Sequence, residues 1–225
     1  MLSSIRKIFS DKTIRRFELD YRGDYYQLGD REERGITKKD RLIAEIIPDN
    51  SSVLDIGCGD GRLLLYLLQT KKNLKVYGID ISEAAVEIAR KRGIDAECLD
   101  ILKQGLPGHP VFDYIIMADF IEHIPEPERL LLRIKDHFRK QLIISIPNTG
   151  YITDRLRLMI GGRFPVQWGK HPGEHLRFWT VRDFQWWSDQ LGYEVMKIIP
   201  VRGPFLKKYI PSLFSRKNIY VLAGK

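Results

Sequence analysis

The chain has 225 residues, of which 44% are hydrophobic and 29% charged, and this composition is ordinary for a globular protein. The length fits one α/β domain with insertions, and no apolar run reaches the ~18 residues that a membrane-spanning helix needs. The basic residues 1–9 lack the apolar core of a signal peptide. With Cys58 and Cys98 expected as free thiols, these features predict a cytoplasmic protein.

The net charge of +8 comes entirely from the last third of the chain. Residues 151–225 hold 13 basic and 5 acidic side chains, whereas the preceding residues hold 24 of each kind. A basic segment on a neutral scaffold suggests an anionic substrate, a partner or a membrane surface. It is equally typical of a solvated basic face, so the charge alone does not choose among these.

Strands and helices alternate along most of the chain, after an irregular N-terminal region. That region has a basic amphipathic stretch at Leu2–Leu19 and a predicted helix at Thr37–Ile47. The predicted strands are Val53–Ile56, Lys75–Ile79, Ala96–Leu99, Phe112–Met117, Leu142–Ile146, Glu194–Ile199 and Ile219–Leu222. The other predicted helices are Arg62–Gln69, Ser82 to Gly93, Pro127 to about Phe138, and Thr180 to Gly192. This alternation predicts a mostly parallel sheet that is covered on both faces.

Residues 149–179 break the alternation, because prolines, glycines, aromatics and arginines replace a clear strand. We interpret them as a lid insertion over the carboxyl edge of the sheet, where open α/β folds bind ligands. A helix with an apolar face at residues 152–160 and the basic first helix can both contact a membrane surface. The predicted organisation is therefore an extension at residues 1–50 and a ligand-binding domain at residues 51–225.

A glycine-rich loop, Gly57–Gly61, follows the first strand and precedes a helix. Glycine permits a sharp turn and close approach of a ligand, and the helix N-terminus offers free N–H groups to an anion. The third glycine comes one residue earlier than in the dinucleotide fingerprint G-x-G-x-x-G. The flanking acids Asp55 and Asp60 would repel a pyrophosphate, so we expect the carboxylate and ammonium groups of an amino acid here.

Two further acids end the next two strands. Asp80 follows the second strand, where an acid can accept both hydrogen bonds from a ribose diol. Asp100 follows the third strand, where a carboxylate can accept the exocyclic amine of adenine. The alternative is a tight turn with unrelated surface acids. It would account for the glycine loop by itself, but it would not account for acids at the ends of three strands. The pattern predicts a ligand that contains adenosine.

The order and spacing of these motifs resembles the class I methyltransferases, which depend on S-adenosylmethionine (SAM). The matching motifs are Val53–Gly61, Gly78–Asp80, Leu99–Asp100, Phe112–Ile116 and Glu122–Ile124. The resemblance implies a Rossmann-like α/β fold with a seven-stranded, mostly parallel sheet whose last strand is antiparallel. It also implies that SAM, with S-adenosylhomocysteine (SAH) as its product, contacts Asp55, Gly57, Cys58, Gly59, Gly61, Asp80, Ile81, Asp100, Ile101 and Ala118.

The second half of the chain resembles a narrower group, the MetW-like proteins, which are associated with methionine biosynthesis. The matching motifs are Pro147–Asn148, Arg155–Leu158, Gly162–Val166 and His175–Phe184. Two functions stay open: a methyltransferase with a small anionic or lipid-linked acceptor, and a non-catalytic protein of the same fold that binds a protein partner. Nucleic acid is disfavoured as an acceptor, because Ile146–Asn148 lacks the aromatic residue that would stack on an extruded base.

Candidate residues for the transfer step follow the fourth strand and lie in the insertion. A general base is needed only for an acceptor that is protonated at the working pH. His123 and His175 are the leading candidates because histidine titrates near neutrality, although either can be a structural histidine. Asp119 is a further candidate. Three arginines are candidates for binding a carboxylate or phosphate on the acceptor: Arg155, Arg163 and Arg177.

One zinc peptidase pattern, H-x-x-E-H, occurs at His171–His175. That pattern needs a continuous α-helix to place both histidines on one face. Pro172 and Gly173 oppose such a helix, so we expect no metal site from this motif.

Overall fold

A computed structural model describes residues 35–225 except 107, 109, 166 and 168–171. The basic stretch predicted at Leu2–Leu19 lies outside the described residues. Within this part of the chain, none of the helices has the length and apolar character to cross a membrane.

The strands of the described residues form one seven-stranded sheet. They are β1 Ser52–Ile56, β2 Lys75–Asp80, β3 Ala96–Cys98, β4 Phe112–Ala118, β5 Phe138–Pro147, β6 Tyr193–Arg202 and β7 Lys217–Gly224. Their order is β3-β2-β1-β4-β5-β7-β6, and β7 alone runs antiparallel to its neighbours β5 and β6. The predicted sheet, parallel except for its last strand, is therefore confirmed.

Helices cover both faces of the sheet. The α-helices of the described residues are α1 Lys38–Ile46, α2 Arg62–Thr70, α3 Glu83–Lys91, α4 Ile101–Gln104, α5 Pro127–Ile134, α6 Ile152–Gly161, α7 Val181–Gln190 and α8 Pro211–Phe214. Short 3-10 turns lie at Ile121–His123, Lys135–His137, Pro172–Glu174 and Phe205–Lys208. Thr180 caps α7 through a reciprocal hydrogen-bond pair with Asp183, as its sequence predicts.

The prediction for α5 was wrong at its C-terminal end. The helix stops at Ile134, a 3-10 turn follows, and β5 already begins at Phe138 rather than at Leu142. The reason is tertiary: Phe138 pairs with Phe112 of β4, and its ring stacks on Tyr193 at a centroid distance of 6.2 Å. These contacts favour an extended backbone where the local pattern favours a helix.

Helix α1 packs into the core of the sheet. Ile43 and Ile47, one helical turn apart, are fully buried and join the apolar layer formed by α2, α3 and one face of the strands. The sequence assigns these residues to a separate extension at residues 1–50. In the structure, α1 shares a core with the rest of the domain and brings its first turn to the carboxyl edge of the sheet.

Candidate active site

A cavity of about 540 Å³ lies at the carboxyl ends of β1, β2 and β4. Its walls come from the loops that follow β1 to β4, from the start of α1, and from Glu174 and His175 of the insertion. This is the edge where parallel α/β sheets bind ligands. Of the cofactor-binding residues predicted from the sequence, all except Gly61 line this cavity.

The glycine loop has a shape that larger residues would not allow. Gly57 and Gly61 have φ angles of +78° and +71°, in the left-handed region. A Cβ atom at Gly57 would lie 2.5 Å from Cδ2 of Phe120, and one at Gly61 would lie 2.9 Å from Cβ of Ala89. Gly57 therefore leaves room for the ring of Phe120, whereas Gly61 allows α2 and α3 to pack closely.

Asp80 connects the glycine loop to the end of β2. Its Oδ2 accepts a hydrogen bond from the Gly59 N–H at 2.8 Å, and its Oδ1 accepts one from the Ser82 N–H at 3.0 Å. The carboxylate is thus held in one orientation at the cavity wall. This bracing of the loop is a role that the sequence does not reveal.

Asp55 is a buried acid in the cavity wall. Its Oδ1 has no hydrogen-bond partner among the described residues. Burial, opposed by the charge of Lys39 and reinforced by the nearby carboxylates of Asp40 and Asp80, raises the pKa of Asp55 to about 8. A ligand ammonium group would compensate this carboxyl group, so the wall fits the amino-acid part of SAM.

Asp119 is an anion held by two lysines. Its Oδ2 accepts hydrogen bonds from Nζ of Lys39 at 3.0 Å and from Nζ of Lys217 at 2.5 Å. Its Oδ1 accepts a hydrogen bond from the hydroxyl of Ser145 at 2.7 Å. Burial opposes ionisation, but the two lysines outweigh it and hold the pKa of Asp119 well below its usual range. This environment favours a fixed anion over the proton acceptor that the sequence suggests.

His123 and His175 both line the cavity, although they are far apart in the sequence. His123 also contacts Glu174, which lies 51 positions later and directly precedes His175. Their ring centroids are 4.8 Å apart and the rings are nearly perpendicular. The Nδ1 of His123 contacts the carbonyl oxygen of Glu174, which can only accept a hydrogen bond. Burial, reinforced by the neighbouring His123, lowers the pKa of His175 to about 4.

Glu122 is buried beside these histidines, with 1% of its surface exposed. Neither carboxyl oxygen accepts a hydrogen bond from another described residue. Burial and the charge of Asp119 raise the pKa of Glu122 to about 8. The backbone oxygen of Glu122 accepts the N–H groups of Leu176 at 2.8 Å and Arg177 at 3.2 Å, which fixes the insertion against the turn after β4.

Comparison with known families identifies the chain. The model of the family described as methionine biosynthesis protein MetW matches residues 38–222. The chain belongs to the MetW family. The bifunctional methionine biosynthesis protein MetXA/MetW of Rhodopirellula baltica is 33% identical over 156 residues, which are 64% of this chain and 22% of that protein. An (S)-coclaurine N-methyltransferase of Thalictrum flavum is 36% identical over 107 residues, or 44% of this chain and 29% of that enzyme. The chain thus matches less than a third of either relative's length.

Solved structures share the fold of this MetW family member. A TehB-like SAM-dependent methyltransferase of Corynebacterium glutamicum has a TM-score of 0.60 and 20% identity over 86% of this chain and 91% of its own. A SAM-dependent methyltransferase of Thermotoga maritima has a TM-score of 0.61 and 19% identity, over 83% and 87%. The magnesium protoporphyrin IX methyltransferase of Synechocystis, with SAH bound, has a TM-score of 0.58 and 18% identity, over 100% and 94%. The class I methyltransferase fold is thereby confirmed.

The three predicted arginines do not meet at the cavity of this MetW family chain. Nε of Arg155 donates to the Gly150 carbonyl at 2.6 Å, and Arg177 donates to the Pro125 carbonyl. Arg163 is exposed, and none of the three lines the cavity. An arginine clamp for the acceptor therefore stays a prediction.

Lys39 and Lys217 are cavity residues that no sequence motif indicates. Lys39 begins α1 and Lys217 begins β7, so neither belongs to a motif of the central region. The reciprocal cap between Thr37 and Asp40 is the only sequence signal near Lys39 among the described residues, and it marks a helix start rather than a site. Their convergence on Asp119 follows from the position of α1 and from the strand order, which places β7 beside β5.

The insertion at residues 149–179 contributes its C-terminal part to the site. Glu174 and His175 line the cavity, while α6 lies farther along the surface with Met159 and Ile160 exposed. Pro172–Glu174 is a 3-10 turn rather than the α-helix that the zinc peptidase pattern needs. His171 lies outside the described residues.

Proposed function

We propose that this MetW family chain binds SAM in the cavity and transfers the methyl group to a small acceptor that is anionic or lipid-linked. The observation that carries the proposal is the cavity itself. It is bounded by a glycine loop, a buried acid whose Oδ1 has no hydrogen-bond partner among the described residues, and an acid braced at the end of β2. That set of groups matches the amino acid and ribose of one ligand.

Each part of the cofactor has a corresponding wall. The N–H groups at the start of α2 would bind the carboxylate of the amino acid, and Asp55 would bind its ammonium group. Asp80 would accept hydrogen bonds from the ribose hydroxyls, while Asp100 and Ile101 would border the adenine. When bound, SAM supplies a methyl group activated on a sulfonium, beside Ala118.

The residues beyond Ala118 would orient the acceptor and exclude water. Asp119 and Phe120 follow β4 directly, and His123 and His175 line the same cavity. Methyl transfer needs in-line alignment of the acceptor with the methyl group, so a rigid wall contributes through positioning. The hydrogen bonds between the Glu122 backbone and the insertion supply that rigidity.

Two features support an anionic or lipid-linked acceptor. Lys39 and Lys217 place two cations at this end of the cavity, within a chain whose excess positive charge lies in its last third. Met159 and Ile160 on α6 are 74% and 68% exposed, which suits contact with an acyl chain or a membrane surface. A free acid and a lipid headgroup share the anionic chemistry, and vesicle flotation separates the two.

A second candidate function is a non-catalytic partner of another protein in methionine biosynthesis. The relative from Rhodopirellula baltica supports it, since its name joins a MetW part and a MetXA part in one bifunctional protein. A chain related to one part could act on the other by association. SAM binding would then serve regulation rather than transfer.

SAM titration tests the cofactor proposal. Purified chain, stripped of cofactor, should show heat of binding and a higher melting temperature with SAM. Asp80→Ala should abolish both effects, because the loop loses its brace and the ribose loses its acceptor. Asp95→Ala, an exposed acid outside this cavity, is the matched control and should bind as the parent does. Absence of binding in the parent chain would refute the proposal.

Turnover is tested separately with labelled SAM. A panel of free acids and lipid-linked acceptors in vesicles should yield a methylated product and SAH. If SAM binds, the panel gives no product, and a stoichiometric protein partner is recovered, the partner function replaces the enzymatic one.

A further inference from the structure

We propose that Glu122, His123 and His175 form a binding site for one divalent cation of the first transition row. All three residues line the cavity. It combines one carboxylate with two imidazoles, a ligand set that suits Zn²⁺, Fe²⁺, Co²⁺ and Mn²⁺. It is distinct from the zinc peptidase pattern, because Glu122 and His123 come from the turn after β4.

The three side chains already converge. One ligand atom from each lies within 4.8 Å of the others. Ligands that surround one metal ion at about 2.1 Å are roughly 3.0–3.4 Å apart, so binding requires closure by no more than about 2 Å. Side-chain rotation of a half-buried histidine such as His175 can supply that closure without moving the backbone.

Glu122 provides an independent reason for a cation. It is 1% exposed, and neither of its oxygens accepts a hydrogen bond from another described residue. A buried carboxyl group without partners is costly, and buried charges in proteins are normally paired or bound to metal. The lysines at this end of the cavity, Lys39 and Lys217, instead bind Asp119. A cation between Glu122 and the two histidines would supply the missing partner.

His123 is oriented as metal-binding histidines usually are. Because the Glu174 carbonyl can only accept, Nδ1 of His123 carries the proton of this contact. The Nε2 atom then carries the lone pair. A histidine that donates one ring N–H to a backbone carbonyl and binds metal through the other nitrogen is the common arrangement at metal centres. Nδ1 of His175 is buried and has no hydrogen-bond partner among the described residues, so it can supply the second nitrogen ligand.

The fold holds the two segments in register without a metal. The backbone oxygen of Glu122 accepts the N–H groups of Leu176 and Arg177, which follow His175 directly. Arg177 then donates to the Pro125 carbonyl, on the other side of His123. The ligands are thus preorganised by main-chain contacts, and the ion need not order a loop.

The ion has open coordination positions toward the cavity, since three protein ligands leave at least one free. If the proposed function holds, those positions lie next to the methyl group and would bind an oxygen of the acceptor. His123 and His175 would then be metal ligands rather than proton acceptors. This role rests on the proposed function, whereas the metal site itself does not.

Titration with Co²⁺ tests the site directly. The 225-residue chain, treated with EDTA and exchanged into metal-free buffer, should bind one Co²⁺ by calorimetry and develop visible d–d absorption. Zn²⁺ should displace it. Glu122→Gln keeps the shape of the side chain, and His175→Ala removes a ligand from the insertion. Each should weaken Co²⁺ binding by at least about tenfold, since even indirect partners of a metal cost that much.

Two controls make the result specific. His137→Ala removes a histidine in the turn before β5, at the opposite edge of the sheet, and should leave Co²⁺ affinity unchanged. Asp80→Ala should still bind Co²⁺ after losing SAM, which separates this proposal from the cofactor proposal. Circular dichroism and melting temperature establish that each variant is folded.

Three outcomes would overturn the proposal. One is absence of Co²⁺, Zn²⁺ and Mn²⁺ binding to the folded parent chain. Another is equal Co²⁺ affinity in the parent, Glu122→Gln and His175→Ala, since the ion would then be bound elsewhere. The third is binding of Mg²⁺ alone, which would show an oxygen-ligated site rather than one with imidazole ligands.

Discussion

Replacing Gly61 with alanine should destabilise the chain more than any backbone strain alone explains. Gly61 has φ +71°, and a left-handed conformation costs an alanine roughly 1–2 kcal/mol. Its new Cβ would also lie 2.9 Å from Cβ of Ala89 and 3.1 Å from Cγ1 of Ile94, both buried. Overpacking of this kind adds about 1–3 kcal/mol. We expect a total loss of about 2–5 kcal/mol, a large part of the ~5–15 kcal/mol available to a domain.

Gly93→Ala isolates the backbone contribution. Gly93 has φ +81°, and nothing lies within 4 Å of the position that its Cβ would occupy. Urea unfolding at one pH should therefore show a loss of only about 1–2 kcal/mol for this variant. The difference between the two variants measures the contact between α2 and α3.

A double-mutant cycle measures how much of that difference comes from the Cβ of Ala89. Ala89→Gly alone should cost about 1–2 kcal/mol, from helix propensity and one lost methyl group. Combined with Gly61→Ala, it removes the closest contact but leaves the one with Ile94, so the double variant should be more stable than additivity predicts by up to about 3 kcal/mol. Equal losses in Gly61→Ala and Gly93→Ala, or strict additivity in the cycle, would refute the steric argument.

The free energy of unfolding of Asp55→Asn should increasingly exceed that of the parent as the pH rises from about 4 to 8. Urea unfolding at several pH values measures this difference. The raised folded pKa means that the folded parent keeps a proton which the unfolded chain releases, and its stability falls with pH over that window. The same variant should bind SAM more weakly by calorimetry, and a flat pH difference would contradict the assigned environment. Thr180→Ala removes the cap of α7 and should lower the free energy of unfolding in urea by about 1 kcal/mol. Thr153→Ala is the control and should cost less, because Thr153 lies in the first turn of α6 and does not cap that helix. Tyr193→Phe loses a 2.6 Å hydrogen bond to the Leu131 carbonyl, for a loss of about 1–3 kcal/mol by thermal unfolding.

The cofactor side of the cavity could be predicted from the sequence because its determinants are local. The glycine loop, the acids at the ends of β1, β2 and β3, and the Thr180 cap each depend on residues within a few positions of one another. Parallel strands bring their carboxyl ends to one edge, so local motifs at those ends converge without further information.

The pairing of Asp119 with two lysines could not be predicted in this way, because these groups come from distant segments. Lys39 and Lys217 meet Asp119 across 80 and 98 residues, through the position of α1 and the insertion of β7 between β5 and β6. The predicted arginines instead bind backbone carbonyls or face solvent.

The sequence by itself determined the alternating fold, the loop and the acids that line the cofactor cavity, since turn chemistry and periodicity act over short distances. Only the tertiary structure decided which charges are paired and which stay buried without partners. Glu122 shows the difference: its position in the chain predicts an acid near a strand end, whereas its burial between two histidines is a property of the packed molecule. Burial and pairing depend on every element that surrounds a group, and those elements meet only on folding.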